Sequence, residues 1–357
     1  MKKIVSMMLV LVLTLSFITG CGSNQKDSGE SKGSDEKKVA YITGTGGLGD
    51  NSFNDLGYKG IQTLMDEGIT CDVSEPTSIA EIEGIARNFA EDGSYSLIVI
   101  MGGDAVDSMV RVATDYPDQK FMMIDGMAGM DNVYSVEVNQ NETGFLAGVY
   151  AGILMKEGVL NNGETENIVG AVGGMDIPLI RGILNGFECG VRYVNPDAKV
   201  LLSYVGDWSD PSKASELAQG MYEQGASMVF QAAGASGMGV IECAQKQGAY
   251  AIGYDGNQNI IAPDNMVGSA IRGVGDIIAE TAHKSFDGTF EGGDHVVSLC
   301  DNEFASQILT DDVTIEIPET VIEQFNRAKE VLLSGEHSVP FESEEIETFI
   351  SSLGAFE

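Results

Sequence analysis

Beyond residue 38 the chain alternates short, almost wholly apolar runs with longer segments in which apolar residues recur every three or four positions. VAYIT (39–43), SLIVIM (96–101), KFMMID (120–125) and VYSVEV (133–138) read as strands. A second set repeats the arrangement: NIVGAV (167–172), KVLLSYV (199–205), SMVFQAA (227–233), YAIGY (250–254) and VGSAI (267–271). Segments 52–66, 79–91, 105–116, 143–157, 176–193, 211–224, 237–247 and 274–286 carry the helical period between them. Strands apolar on both faces and separated by helices predict parallel sheets covered on both sides.

The two sets predict two similar α/β units. The first break falls near Asn139–Glu142, and polar, Gly- and Pro-containing stretches near 262–268 and 289–301 offer return crossings. The expected organisation is 39–140 plus about 268–297 in one lobe, and 141–267 plus about 298–357 in the other. Two Rossmann-like lobes with parallel sheets, joined by several crossovers, are the architecture of bilobal solute-binding proteins of the type I periplasmic class.

The N-terminus adds a location. Lys2 and Lys3 precede an apolar run from Ile4 to Ile18, too short for a span and suited to an export signal over residues 1–20. Ile18-Thr19-Gly20-Cys21 resembles a bacterial lipobox, which makes Cys21 the expected lipidated residue (with the palmitate such a cysteine carries). Residues 21–38 are Gly, Ser and charged residues after the cysteine, the composition of a flexible tether. The expected site is the outer face of the cell membrane, held by lipid.

Charge narrows the ligand. The chain carries −34; residues 1–38 hold six lysines and four acids, so the remainder carries −36. Such a field repels nucleic acid and disfavours polyanionic ligands. Cys71, Cys189, Cys243 and Cys300 match no metal or redox spacing and read as small hydrophobes, with a disulfide left open. His283, His295 and His337 lack the spacing of a metal site or triad. Neither metal nor cofactor is expected.

Ligands of open α/β sheets sit beyond the carboxyl ends of the strands. Those ends carry Asp50 to Asn54, Gly102-Gly103-Asp104, Asp125, Asp207-Trp208, Gly234 to Gly237 and Asp255. In the first of these loops Gly44, Gly46 and Gly49 fit G-x-G-x-x-G, the spacing that brings backbone N–H groups to a pyrophosphate. Asp50 follows the last glycine where a helix N-terminus faces the phosphate, and its charge opposes that anion. The local chemistry instead predicts Ser52 or Asn51 as N-cap of the next helix and Phe53 as a stacking face beside a cleft.

GDNSFNDLGYKG, YPDQKFMMIDG, VEVNQNETGFLAGVYAG, the long segment GDWSDPSKASELAQGMYEQGASMVFQAAGASGMGVIECA and AIGYDGNQN together resemble the basic membrane lipoprotein family, the PnrA-like substrate-binding proteins of ABC transporters for purine nucleosides. The resemblance implies that Phe53 stacks on a base with Asn54 beside it and that Asp125 accepts hydrogen bonds from a base or sugar edge. It likewise implies that Asp255 engages ribose hydroxyls, while Gly237 lines the opposite lobe. Arg272 falls where the family commonly has lysine. A second stacking aromatic is either Trp208 or Phe230, and Asp104 is either a cleft group or a helix cap.

The reading that follows is a lipid-anchored, non-enzymatic binding protein, expected as a monomer. It captures a purine nucleoside and presents it to an ABC permease encoded by a separate chain. The alternatives are another ring or sugar ligand such as riboflavin, and a nucleoside-cleaving enzyme using Asp125 and Asp255 as paired carboxylates.

Overall fold

The computed structural model describes residues 37–160, 167–303 and 305–356. The export signal, Cys21 and the tether as far as residue 36 lie outside the described residues. Two six-stranded sheets form the frame. The first is built from β1 (Lys38–Ile42), β2 (Thr70–Ser74), β3 (Leu97–Met101), β4 (Phe121–Ile124), β5 (Val133–Val138) and β11 (Gly293–Val297), in the order β11-β5-β4-β3-β1-β2, all parallel.

The second sheet takes β6 (Ile168–Gly173), β7 (Lys199–Tyr204), β8 (Met228–Ala232), β9 (Tyr250–Asp255), β10 (Met266–Arg272) and β12 (Ser306–Leu309), in the order β12-β10-β9-β8-β6-β7. Position for position the orders match, save that β12 runs antiparallel to β10. The central strands VAYI, LIVIM, FMMI and MVFQA are wholly buried, as strands with helices on both faces must be.

Helices α1 (Phe53–Asp66), α2 (Ile79–Asp92) and α3 (Val106–Asp115) cover the first sheet, with α8 (Val274–Asp287) packed beside α1. Helices α4 (Gln140–Lys156), α5 (Pro178–Val194), α6 (Pro211–Glu223) and α7 (Met238–Gln247) cover the second. Two further helices, α9 (Glu319–Leu333) and α10 (Ile346–Leu353), close over α4 and α5. The α4–α5 pair explains the small residues of that stretch. A Cβ on Gly144 would lie 2.1 Å from the Ile183 carbonyl oxygen, and one on Gly190 2.1 Å from that of Phe145. Glycine is required there because the two backbones touch.

The chain crosses between lobes three times: from β5 into α4, from β10 into α8, and from β11 to β12. The return placed near residue 268 by the sequence falls instead after Arg272. Residues 268–272 continue as β10, paired with β9 and β12, so they belong to the second lobe. The four cysteines beyond Cys21 are free thiols; Cys189 and Cys243 are buried, and burial raises both thiols, that of Cys189 to about 12.

Candidate functional site

A cleft of about 980 Å³ opens between the carboxyl ends of the two sheets. Its first-lobe wall begins with the loop between β1 and α1. Asp50 organises that loop: its carboxylate accepts the backbone N–H groups of Ser52 (2.9 Å), Asn54 (2.9 Å) and Asp55 (3.2 Å), and the Asn54 amide as well (3.0 Å). Ser52 holds the N-cap position of α1, as expected, but its side chain makes no cap bond, and the Asp50 carboxylate accepts the first N–H groups in its place. The Asp55 carboxylate takes the N–H groups of Gly49 and Asn51, each at 2.8 Å, and Asn54 Oδ1 takes that of Gly44 at 2.7 Å. The donors that would bind a pyrophosphate are already held by protein carboxylates and an amide. Asp50 supplies the capping acceptor, and Asp50, Asp55 and Asn54 together occupy the donors and oppose a phosphate.

Asn54 is thus a brace of its own loop, although it borders the cleft. Phe53, half-buried in the first turn of α1, faces the cleft. Trp208 faces it from the second lobe, seated so closely on the chain that a Cβ on Gly174 would lie 2.4 Å from its ring. Phe230 does not line the cleft. It lies mid-strand in β8, fully buried, with its ring stacked on Phe187 at 5.0 Å. Gly237 does not line it either: it is buried with its Cα against the Gln231 side chain, and Gly234 and Ala235 form the wall there.

At the floor the two lobes meet on one arginine. Asp125 follows β4 and Asp255 ends β9, matching strands of the two sheets. Both hold left-handed backbone, φ 59° and 69°, as does Asn51 at 50°. Only one other non-glycine residue among those described does so, Asp312. Such conformations cost roughly 1–3 kcal/mol each and gather where geometry serves function. Arg272, the last residue of β10, donates from Nε to Asp255 Oδ1 (2.7 Å) and from Nη1 to both oxygens of Asp125 (3.0 Å).

The arginine is 2 % exposed, Asp255 5 % and Asp125 8 %. Burial acts to lower the guanidinium pKa, yet the two carboxylates hold it well above the ordinary arginine value. Burial raises the Asp255 carboxyl against the pull of Arg272. The guanidinium carbon also lies 5.5 Å from the Phe53 ring centroid and 5.6 Å from that of Tyr254, cation–π contacts that fix both rings. Further bonds cross between the lobes: Ser52 Oγ lies within donating distance of Asp255 Oδ2 (3.3 Å) and the Tyr254 carbonyl (3.4 Å), and Gln258 Nε2 donates to the Asn51 carbonyl (3.0 Å).

Asp104 sits in a 3₁₀ turn between β3 and α3, exposed at the cleft wall. Desolvation raises the Asp104 carboxyl against the backbone N–H groups of Asp104 and Ala105. Sequence reasoning missed Glu137 on β5 and Gln140 at the start of α4, both of which line the cleft. Glu137 did leave a signal, a lone acid between valines of a buried strand. It missed the rim as well: Ile79, Ile177 and Phe341, large apolar side chains each more than a third exposed, come from both lobes. Among the described residues the cleft lining holds five carboxylates, those of Asp50, Asp104, Asp125, Glu137 and Asp255, and Arg272 as its single cation.

Comparison with known proteins gives the family and the fold. A family model described as ABC transporter substrate-binding protein, PnrA-like, matches residues 37–300. The CD4+ T-cell-stimulating antigen of Listeria innocua is 28% identical over 365 residues, covering 95% of this chain and 99% of its own. The ABC transporter nucleoside-binding protein BmpA of Lactococcus lactis is 26% identical, with the same 95% and 99% coverage. Among solved structures, an ABC transporter solute-binding protein from Aeropyrum pernix superposes with a TM-score of 0.76 at 24% identity, over 89% of this chain and 97% of that one. The chain belongs to the PnrA-like family of ABC transporter substrate-binding proteins.

Proposed function

We propose that this protein captures a purine nucleoside between its lobes, the base stacked between Phe53 and Trp208 and the sugar held near the Asp125–Arg272–Asp255 floor. The observation that carries the reading is the pair of aromatic rings facing one cleft from opposite lobes. Stacking of this kind contributes roughly 1–3 kcal/mol per base. The acid-rich lining suits an uncharged nucleoside and repels the phosphates of a nucleotide. The name of the Lactococcus relative points the same way.

Export and lipid attachment at Cys21 would place the protein on the outer face of the membrane, where closed lobes meet a permease. Among the described residues no helix is long and apolar enough to cross a membrane, so in this reading the permease is a separate chain. The geometry favours binding over hydrolysis, because Asp125 and Asp255 are bridged by Arg272 instead of standing free as an acid–base pair. The test is a thermal-shift and calorimetric comparison of purine nucleosides, riboflavin and free sugars. A nucleoside recovered intact, raising the melting temperature with concentration, is the expected result. A shift with riboflavin or sugar and none with any nucleoside overturns the proposal.

A further inference from the structure

Three buried polar side-chain atoms among the described residues have no hydrogen-bond partner: Thr43 Oγ1, His295 Nε2 and Gln140 Nε2. Of these residues only Gln140 lines the cleft. It is 2 % exposed, and its orientation is fixed because Oε1 accepts the Tyr254 hydroxyl at 3.1 Å. The amide nitrogen, with its two N–H donors, is thereby left unspent in a site where an unpaired buried donor is costly.

Three residues earlier, Glu137 shows the opposite need. Val136 and Val138 enter the first-lobe core, so the side chain between them takes the other face of β5 and reaches the cleft. Among the described residues its carboxylate makes no hydrogen bond or ion pair, and its charged neighbours, Asp125 and Asp294, repel it. Arg272, the one cation among the described lining residues, is bound to Asp125 and Asp255 and leaves Glu137 uncompensated.

Together the pair presents two unpaired acceptor oxygens and one unpaired donor nitrogen. The complementary ring edge has two adjacent N–H donors beside one acceptor. Among the purine bases this is the 2-amino-6-oxo edge of guanine; hypoxanthine lacks the amino donor, and adenine has an acceptor where guanine has N1–H. We infer that Glu137 and Gln140 form the base-reading subsite of the cleft and select a guanine nucleoside, Glu137 accepting from N1–H and the 2-amino group and Gln140 donating to O6. A carboxylate taking two parallel N–H bonds is a strong, directional pairing. A site built to hydrogen-bond such groups rejects analogues that lack them.

The inference rests on the nucleoside reading, and one titration series separates the two. Guanosine, inosine, N1-methylguanosine and adenosine are titrated calorimetrically into the wild-type protein, Glu137→Gln and Gln140→Leu. In the wild type guanosine binds about ten- to hundredfold tighter than each of the other three. Glu137→Gln lowers guanosine affinity by about tenfold or more and shrinks the guanosine-to-adenosine ratio, since the amide offers N–H donors that adenine N1 accepts. The ligand-free melting temperature of Glu137→Gln does not fall, because the exchange removes a repelled charge, so a lost ratio is not a folding defect. Gln140→Leu weakens guanosine and inosine alike, both of which carry O6. Adenosine bound as tightly as guanosine, or a ratio unchanged by Glu137→Gln, overturns the inference and leaves the nucleoside reading standing. No heat with any nucleoside overturns both.

Discussion

Asp125 and Asp255 occupy the same place in the two lobes, each at the end of the matching strand, each in left-handed backbone, each bonded to Arg272. Their relations to that arginine differ. Asp255 pairs with Ile271 in the register of β9 and β10, so its bond to Arg272 is made inside one sheet. Asp125 belongs to the other sheet, so its bond is made only when the lobes meet. One carboxylate therefore belongs to the architecture of the second lobe and the other to closure. Two lobes of matching strand order thus share one cation that belongs to one of them.

The largest effect is expected from removing that cation. Arg272→Met leaves two buried carboxylates facing each other without compensation, which costs about 3–5 kcal/mol. Urea unfolding should show the loss at neutral pH and a partial recovery in acid, where the carboxylates take up protons. Equal stability of variant and wild type across that range would mean the bridge does not hold the lobes. Asp125→Asn and Asp255→Asn then split the comparison. Asp125→Asn should leave the unfolding midpoint nearly unchanged while the ligand-free protein expands in small-angle scattering. Asp255→Asn should lower the midpoint, because it weakens the anchor of Arg272 within its own lobe. Identical behaviour of the two variants would make the lobes equivalent after all.

The aromatic pair offers the next contrast. Phe230→Ala opens a void in the second-lobe core and is expected to cost about 3–5 kcal/mol of stability. Trp208→Ala and Phe53→Ala should leave the midpoint little changed and each cost roughly 1–3 kcal/mol of binding to a stacked base. Loss of binding in Phe230→Ala at full stability would reverse the assignment of the second stacking ring.

Much of this was legible in the sequence, and the exceptions share a cause. Continuous apolar runs marked the central strands because burial on both faces leaves no polar positions. The edge strands TCDVS, GDHVV and SQIL escaped, being half-exposed and mixed in character. So did α9, whose ETVIEQFNRAKEVLL follows the helical period and packs on α4. Phe230 already falls mid-run in SMVFQAA (227–233), and the register makes it an interior residue of β8, paired with Ala171 and Ile252, whereas Trp208 lies beyond the end of β7. The bridge through Arg272 was invisible for a different reason: it joins residues 147 positions apart, and nothing local to either residue announces the other.

The smallest effect tests whether the two walls of the cleft titrate together. In the first lobe, burial raises the carboxyls of Asp50, against its three backbone donors, and of Glu137; in the second, burial raises that of Asp255 against the pull of Arg272. A group whose folded pKa lies above its unfolded value binds protons more tightly when folded. Its contribution is complete below the unfolded carboxylate range, about pH 4, and is lost as pH rises through the folded value. The ligand-free protein is therefore expected to melt higher near pH 5 than at pH 8, and relief of repulsion among 54 acids facing 20 bases acts in the same direction. Added salt separates the two, since it screens the surface charges and leaves the enclosed carboxyls largely unscreened. A pH dependence that survives in high salt and shrinks in Glu137→Gln assigns part of it to the first-lobe wall; one that vanishes in salt assigns it to the surface, and the walls then make no separate contribution.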